Sequence, residues 1–308
     1  MFNCIRQTKC FRSTLRVFNK YFPVSVAKLR LRKIFGRKLN LRNPKDINEK
    51  ILWLSLFSDT SLWTMCADKL AVREYVKEKM GGDDSILVEL YGAWNRAEDI
   101  DWASLPSSFV LKSNNASGTV MIVSEKSDLD IEKTTNCLNN WLKKSPSGET
   151  TEFHYKGIKP CIIAERLLEP SEDEKLFSTS IIDYKIWCFN GKVDSIFTCT
   201  NRNQEGIEVA LFTTDWVYRP EASVFNNHCR EQKHLVPRPA CLDEMIRVAE
   251  ALAEPFPVVR VDLYVIGGRV YCGELTFTSL GGTMNYFTDE ELLRMGKKID
   301  LSGVKKIK

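Results

Sequence analysis

One segment near the end of the chain constrains the fold most, namely residues 260–277, RVDLYVIGGRVYCGELTF. Apolar side chains recur there at every second position, which predicts β-strands, and the central glycines predict a tight turn that joins two strands into a hairpin. A two-residue turn would put the carboxylates of Asp262 and Glu274 on opposite faces. We therefore predict a three-residue loop, GGR, because it sets Asp262 directly opposite Glu274. The same register sets Arg260 opposite Thr276.

Two directly opposed carboxylates require a neutralising partner. Such side chains lie about 5 Å apart at Cβ, and like charges at that separation destabilise a sheet. A divalent cation such as Mg²⁺ would neutralise Asp262 and Glu274, because it prefers hard oxygen ligands. The alternative is a solvated hairpin face on which both acids pair with Lys or Arg, and the hairpin alone supports both interpretations. With a metal site, the change Asp262→Asn is expected to preserve the fold.

The composition is that of a chain that folds in water. It has 308 residues, 44% of them hydrophobic, and no run that is long and apolar enough to span a membrane. Its ten cysteines form no CxxC pair, and no signal peptide is recognised, so we expect a cytoplasmic protein with reduced thiols. The three histidines, His154, His228 and His234, show no metal-ligand spacing.

Charge is distributed unevenly along the chain. Residues 1–45 contain thirteen Lys or Arg and no Asp or Glu, which leaves 31 basic and 40 acidic residues for the rest. Helical spacing in this basic arm separates an apolar face from a basic face, formed respectively by Phe11, Leu15, Phe18 and Phe22 and by Lys9, Arg12, Arg16 and Lys20. Such a helix is typical of contact with an anionic membrane surface, which would place the protein peripherally at the inner face of a membrane. A helix docked on the acidic body is the alternative, and we expect no nucleic acid partner because no aromatic-basic motif accompanies the charge.

The rest of the chain alternates between helical and strand-like segments. INEKILWLSLF and ADKLAVREYVKEKM have helical spacing and indicate a helical region over residues 46–104. Strand-like runs follow, first SFVLK and TVMIV and later CIIAERLL, IIDYKIWCF and VDSIFTC, with helices predicted near 131–144 and 242–253. Helices mixed with an antiparallel hairpin indicate an α+β fold.

A lysine closes the first of these strands. Lys112 precedes a loop of small residues that includes Ser117 and Gly118, and a second strand begins directly after the loop. Backbone N–H groups and an ammonium are suited to bind a phosphate, although an ordinary hairpin turn has the same composition. The order along the chain favours the phosphate, because Glu165, Lys185 and the paired-carboxylate hairpin follow in the serial order of an ATP-grasp nucleotide site.

Several segments resemble one known family. NPKDINEKILWL, DKLAVREYV, FVLKSNNASG, DYKIWCFNGK and RVDLYVIGGRVYCGELTF are similar to segments of the TupA-like ATP-grasp proteins, which are found with bacterial surface-polysaccharide genes, and the resemblance covers residues 43–301. It implies ATP and Mg²⁺ as cofactors and an α+β ATP-grasp fold that holds the nucleotide between two subdomains. The small subdomain would span residues 105–160, and the C-terminal subdomain, with the metal site, residues 161–308.

The resemblance also implies roles for individual residues. The nucleotide would contact Lys112, Ser117, Gly118 and Lys185, while Glu165 and the Leu167 backbone would hold its ribose and adenine edge. Mg²⁺ would be held by Asp262, Glu274 and Thr276, the γ-phosphate would face the catalytic residues Arg202 and Arg260, and the acceptor would lie on Ser279, Gly281 and Gly282. Two positions depart from the family pattern, because Thr276 stands where most ATP-grasp enzymes have Asn and Asn115 stands where many relatives have His.

A site of this kind implies an ATP-dependent carboxylate–amine ligase. Such an enzyme transfers the γ-phosphoryl group of ATP to a carboxylate, and an amine then attacks the acylphosphate. The association with polysaccharide genes implies a uronic acid as the carboxylate and an amino acid or another amine as its partner. Two alternatives stay open, namely a glycosyltransferase that uses a sugar nucleotide and a nucleotide-binding protein without catalysis. The glycosyltransferase is disfavoured, because no DxD pair ends a Rossmann-like unit.

Overall fold

Helices occupy the first part of the protein in the computed structural model, which describes residues 16–144 and 151–307. The first described residues, 16–21, are helical. They are followed along the chain by α1 (Pro23–Phe35), α2 (Ile47–Phe57), α3 (Ser61–Ala67), α4 (Val72–Lys79), α5 (Ile131–Leu142), α6 (Glu172–Lys175), α7 (Leu242–Ala253) and α8 (Asp289–Lys298). Short 3₁₀-helices lie at Ala97–Asp99, Lys126–Asp128, Phe153–Gly157, Pro220–Ala222 and Ser279–Gly281. Within the described ranges, no helix combines the length and the apolar character that crossing a bilayer requires.

In the part of the chain that the structure describes, ten strands form two sheets. The strands are β1 (Leu90–Trp94), β2 (Phe109–Ser113), β3 (Val120–Val123), β4 (Ile162–Glu165), β5 (Asp183–Phe189), β6 (Lys192–Thr200), β7 (Ile207–Thr213), β8 (Cys229–Glu231), β9 (Val258–Ile266) and β10 (Arg269–Thr276). The small sheet has the order β1-β4-β2-β3, and the large sheet has the order β10-β9-β5-β6-β7-β8. Antiparallel pairing prevails, and only the short edge pair β7–β8 is parallel among these strands. The α+β fold class is thereby confirmed.

The small sheet draws its strands from three of the segments distinguished in the sequence. Strand β1 lies within the region 46–104 that was predicted as helical, β2 and β3 lie within 105–160, and β4 lies within 161–308. One face of the sheet packs on α5 around the fully buried side chains of Phe109, Leu111 and Leu138. The sheet is therefore assembled from residues that are far apart in the chain.

Helix α2 coincides with the predicted INEKILWLSLF helix, but the next predicted helix is broken. The segment ADKLAVREYVKEKM contains α4 only from Val72 onward, because Asp68 forms a turn instead of a helical residue. Its Oδ1 accepts hydrogen bonds from the N–H groups of Leu70 and Ala71 at 2.9 and 3.3 Å. An aspartate that bonds to the backbone two residues on favours a turn over a helix.

The hairpin β9–β10 corrects the predicted loop. Gly267 and Gly268 form a two-residue turn with φ of 57° and 79°, so the predicted three-residue loop is wrong. Such a turn needs positive φ at both central positions, which glycine adopts without strain. The pairing of Asp262 with Glu274 is nevertheless confirmed, because a β-bulge between Cys272 and Glu274 shifts the register back by one residue.

The second half of the predicted basic arm is part of the folded body. Helix α1 buries Ala27 and Leu31 against Leu52 of α2, and it ends at Gly36, which has a φ of 69°. Helix α1 is a different segment from the predicted amphipathic helix, so its packing does not decide between membrane contact and docking for that helix. The predicted amphipathic helix starts further upstream, and four of its residues, Lys9, Phe11, Arg12 and Leu15, lie outside the described residues.

Candidate functional site

A buried ion cluster lies in the middle of the large sheet. Lys185 on β5 is the strand partner of Asp262 on β9, and its Nζ lies 2.7 Å from Asp262 Oδ2 and 2.6 Å from Asp183 Oδ2. Burial alone would lower the pKa of Lys185, but Asp262 and Asp183 raise it above its usual range. The lysine predicted to contact nucleotide is therefore a permanently charged member of this cluster.

Arg260 completes the neutralisation of Asp262. Its Nε donates to Asp262 Oδ1 at 2.6 Å and its Nη2 to Asp262 Oδ2 at 2.7 Å. Burial would raise the pKa of the Asp262 carboxyl, but the charges of Arg260 and Lys185 outweigh this effect and hold the pKa below its usual range. The guanidinium also lies over the ring of Trp187, 5.8 Å from its centroid, so Arg260 is fixed on several sides. Two cations therefore neutralise the buried carboxylate of the pair.

Glu274 is the open member of the carboxylate pair. Its side chain is 42% exposed, and its Oε1 accepts a hydrogen bond from Thr276 Oγ1 at 2.9 Å. Thr276 Oγ1 in turn accepts from Arg260 Nη2 at 3.1 Å. The three predicted metal residues are thus contiguous, with Glu274 directed most towards solvent.

These donors fit Mg²⁺ only as a partial ligand set. No group of three or more His, Cys, Asp or Glu placed to hold a metal occurs among residues 16–144 and 151–307. Asp262 already accepts three hydrogen bonds, whereas the second carboxylate oxygen of Glu274 has no hydrogen bond to another described residue. Magnesium beside a nucleotide usually keeps several waters and takes one or two carboxylates plus phosphate oxygens. The arrangement suits a Mg²⁺ that arrives with phosphates and is inconsistent with a cage built from protein ligands.

Arg202 approaches the same cluster from the end of β6. Its Nη2 lies 3.2 Å from Asp183 Oδ2, and its side chain is 53% exposed. Asp183 was not among the predicted site residues, yet it joins Arg202 to Lys185 through one carboxylate oxygen. The sequence signal for it was the DYK motif, in which the residue two before the predicted lysine points to the same face of the strand.

A second group of predicted residues lies on the small sheet. Lys112 on β2 places its Nζ 2.7 Å from Glu165 Oε2 on β4, and Arg73 of α4 lies 3.4 Å from the other oxygen. Glu165 is therefore paired with two cations in the structure, and Leu167 follows it as a partly exposed residue. The predicted phosphate loop exposes Ser117 and Gly118, the latter with a φ of 72°.

The predicted acceptor loop is joined by hydrogen bonds to Arg260 and Tyr286. Ser279 Oγ accepts from Arg260 Nη1 at 2.7 Å and lies 2.9 Å from the Tyr286 hydroxyl. Leu280, Gly281 and Gly282 follow with φ of 48°, 64° and 73°, so the loop turns through three left-handed residues in succession. The two glycines adopt these angles without a Cβ clash, and side chains from other parts of the chain fix the conformation of the loop.

Two N-terminal residues hold this loop. Arg30 of α1 donates to the Leu280 carbonyl at 2.7 Å, and Asn48 of α2 exchanges two hydrogen bonds with the Met284 backbone at 2.9 and 3.0 Å. A Cβ at Gly281 would lie 2.5 Å from Arg30 Nη1. Helices α1 and α2 therefore shape the predicted acceptor loop. No periodicity in the sequence indicated these contacts.

Concave surface alone does not identify this site. A cavity of about 720 Å³ lies between the end of α2, the Pro255–Pro257 segment and the C-terminal residues, and one of about 260 Å³ lies beside Phe177 and Tyr184. Neither is lined by a predicted site residue. The predicted site residues are brought together by ion pairs instead, on the large sheet around Asp262 and on the small sheet around Glu165.

Comparison with known proteins identifies the class. The model of the TupA-like ATP-grasp family matches residues 49–300, which is most of the chain. The protein therefore belongs to the TupA-like ATP-grasp family, and its predicted fold is confirmed. ATP-grasp proteins are ATP-dependent ligases that bind ATP, so membership places this chain in that class.

Solved structures with a related fold are distant in sequence. The D-alanine–D-alanine ligase from Bacillus anthracis complexed with ATP is 14% identical, with 79% of this chain and 68% of that chain covered and a TM-score of 0.46. The corresponding ligase from Helicobacter pylori is 14% identical over 83% of this chain and 68% of that one, with a TM-score of 0.44. A search of curated proteins finds no match. Similarity at this level does not define a substrate.

Proposed function

We propose that the protein is an ATP-dependent carboxylate–amine ligase. The observation that supports this proposal is the contiguous group of Lys185, Arg260, Asp262 and Glu274 on three neighbouring strands, in a chain of the ATP-grasp family. The two buried cations would neutralise charge on the phosphates of a nucleoside triphosphate, and the open carboxylate would bind its metal ion. No side chain has to act as a nucleophile, since ATP itself activates the substrate.

The reaction would proceed in two balanced steps. A substrate carboxylate oxygen attacks the γ-phosphorus of ATP, the bond from that phosphorus to the β–γ bridging oxygen breaks, and ADP leaves. An amine then attacks the carbonyl carbon of the acylphosphate, phosphate leaves with the bonding electron pair, and the amine loses a proton. The products are an amide, ADP and phosphate.

The protein residues would orient the phosphates and stabilise their charge. Arg260 is preorganised for this, because Asp262 and Ser279 already fix its guanidinium and no reorganisation is required during transfer. Arg202 is half exposed and would turn from Asp183 towards a terminal phosphate, while Lys112 and the Ser117–Gly118 loop would contact the nucleotide from the small sheet. Mg²⁺, when bound through the open carboxylate of Glu274, would offset phosphate charge.

We further propose that the substrates belong to surface-polysaccharide biosynthesis. The carboxylate would be that of a uronic acid, and the amine an amino acid or a related compound. The support is the resemblance to a family that is found with bacterial surface-polysaccharide genes. Acceptor groups would lie on Ser279, Gly281 and Gly282, beside the fixed guanidinium of Arg260.

Ligand-induced stabilisation tests the proposal. ATP with Mg²⁺ should raise the melting temperature of the purified protein, because a ligand at about 100 times its Kd stabilises the folded state by roughly 2.7 kcal/mol. UDP- and GDP-sugars serve as the comparison. Stabilisation by sugar nucleotides with none by ATP would favour the glycosyltransferase. ADP release with mixtures of uronic acids and amino acids would then separate a ligase from a nucleotide-binding protein without catalysis.

A further inference from the structure

The segment 151–157 lies against the end of the strand that carries the open carboxylate. Thr278, two residues beyond β10, donates from its Oγ1 to Glu152 Oε1 at 2.9 Å. The ring of His154 packs edge-on against Phe277, with centroids 6.2 Å apart. The segment is therefore a neighbour of the predicted acceptor loop, which begins directly after Thr278.

Packing on helix α3 fixes the conformation of this segment. Thr64 Oγ1 donates to the His154 carbonyl at 2.8 Å, and a Cβ at Gly157 would lie 2.9 Å from Thr64 Cγ2. Trp63 stacks on Phe277 with centroids 4.8 Å apart, and it lies edge-on to His154 at 5.7 Å. His154 is 2% exposed, and burial lowers the pKa of its imidazole to about 4, so this ring is a neutral part of the core at pH 7.

Tyr155 brings a hydroxyl from this segment close to the carboxylate pair. Its ring lies 4.3 Å from the ring of the preceding histidine, and the charges of Glu274, Glu152, Arg260 and Asp262 all act on its hydroxyl. Burial, followed by Glu274 and Glu152, raises the pKa of this hydroxyl, so it keeps its proton at neutral pH and can donate one hydrogen bond. No residue of the ranges 16–144 and 151–307 accepts that hydrogen bond.

A neutral donor at this position suits the carboxylate that takes the phosphoryl group. In the proposed reaction the γ-phosphoryl group would lie between Arg260 and Glu274, and the attacking carboxylate would lie beside it. One hydrogen bond to one carboxylate oxygen orients the other oxygen for attack on phosphorus. Because charge-assisted hydrogen bonds are roughly twice as strong, a cation in the same place would stabilise the anion more and reduce its nucleophilicity.

We propose that the hydroxyl of Tyr155 donates a hydrogen bond to the carboxylate of a uronic acid substrate, and that residues 151–157 form one wall of the carboxylate site. This inference rests on the proposed function and adds a substrate contact from a segment that precedes β4. The contact is made before the phosphoryl group is transferred. It therefore contributes to the affinity for the uronic acid and leaves the affinity for ATP unchanged.

Initial rates of ADP release by the full-length protein test this contact. The assay contains ATP, Mg²⁺, hydroxylamine as a small amine, and glucuronate or galacturonate, each as the free acid and as its UDP derivative. Tyr155→Phe keeps the ring on His154 and should fold as wild type. It should raise the KM for the uronic acid about tenfold, since the loss of one hydrogen bond weakens binding by up to roughly that factor, and it should leave kcat unchanged.

Two measurements distinguish a substrate contact from a structural role. Calorimetric titration with ATP and Mg²⁺ should give the same Kd for wild type and Tyr155→Phe. Tyr218→Phe is the matched control, because it also removes one hydroxyl, which donates to Glu231 at 2.7 Å. Glu231 lies on β8, at the opposite edge of the large sheet from β10, so this variant should behave as wild type in both assays.

The outcomes separate this inference from the proposed function. If wild type binds no ATP, the proposed function fails. If wild type binds ATP but releases no ADP with any of these uronic acids, nucleotide binding stands and the uronic acid contact is overturned. An unchanged KM in Tyr155→Phe, a loss of kcat alone, or an equal loss of affinity for ATP would overturn the contact as well, because each result shows that the hydroxyl does not hold the substrate carboxylate.

Discussion

The change Asp262→Asn tests how the buried carboxylate is neutralised. Asp262 is 1% exposed, and its oxygens accept three hydrogen bonds from Arg260 and Lys185 at 2.6 to 2.7 Å. Asparagine keeps one acceptor oxygen and replaces the other with an NH₂ group that can only donate. That group would face the N–H donors of Lys185 and Arg260, and two buried cations would lose their shared anion.

The expected loss is large. Removing one partner from a buried ion pair costs about 3–5 kcal/mol. Asp183 stays 2.6 Å from Lys185 and compensates part of the loss, so we expect the lower end, about 3 kcal/mol. We therefore expect Asp262→Asn to destabilise the protein, whereas the sequence alone predicted that this change preserves the fold.

Urea unfolding without nucleotide or Mg²⁺, followed by tryptophan fluorescence, measures this loss. Glu274→Gln is the matched control, because its side chain is 42% exposed and removal of an exposed charge changes stability by about 1 kcal/mol or less. An Asp262→Asn variant as stable as wild type would refute the view that two cations hold this carboxylate.

Three further predictions follow from the same contacts. The pKa of Asp262 is lower in the folded protein than its unfolded value of about 3.9, so the charged carboxylate stabilises the fold above that pH, and this stabilisation is lost as the pH falls through the folded pKa. The difference in unfolding free energy between wild type and Asp262→Asn should therefore shrink in acid. A difference that stays constant across urea titrations at several pH values would contradict this prediction. Glu274→Gln should lower ADP release by on the order of a hundredfold, since the open carboxylate is the main candidate for Mg²⁺, and unchanged release would contradict that role. Gly273→Ala should cost about 1–3 kcal/mol in thermal unfolding, because a Cβ there would lie 2.9 Å from Tyr264 Cε2 and 3.1 Å from the Asp262 carbonyl. Gly303→Ala, with open space around it, is its control, and equal effects would show that the bulge tolerates a side chain.

Local sequence patterns predicted the elements that are regular on their own. Helix α7 coincides with the predicted 242–253, and α5 begins at Ile131 as expected. Strand β1 was missed inside the helical region, because its five residues become a strand only by pairing with β4, which lies about seventy residues later. A strand whose stability comes from a distant partner leaves a weak local signal.

The site shows the same division. Residue types and spacing singled out Lys112, Glu165, Lys185, Asp262 and Glu274. The pairing of Asp262 with Glu274 was predicted, but the turn length and the bulge that restores this pairing were not. The contact of Lys69 with the Ala116 carbonyl was not predicted, because it depends on a turn that the helical pattern conceals.

The sequence by itself determined the α+β fold class, the facing carboxylates of the hairpin, and the family resemblance, because these depend on periodicity and on residue type. Only the tertiary structure decided which groups neutralise Asp262. Lys185 lies on another strand, 77 residues from Asp262 in the chain, and Arg260 lies two residues from Asp262 on the same face of its strand. The sequence alone therefore gives neither the distances between these three side chains nor the balance of their charges. The pairing arises where β5 and β9 lie side by side in one sheet, and there burial makes a nearby cation obligatory for a carboxylate.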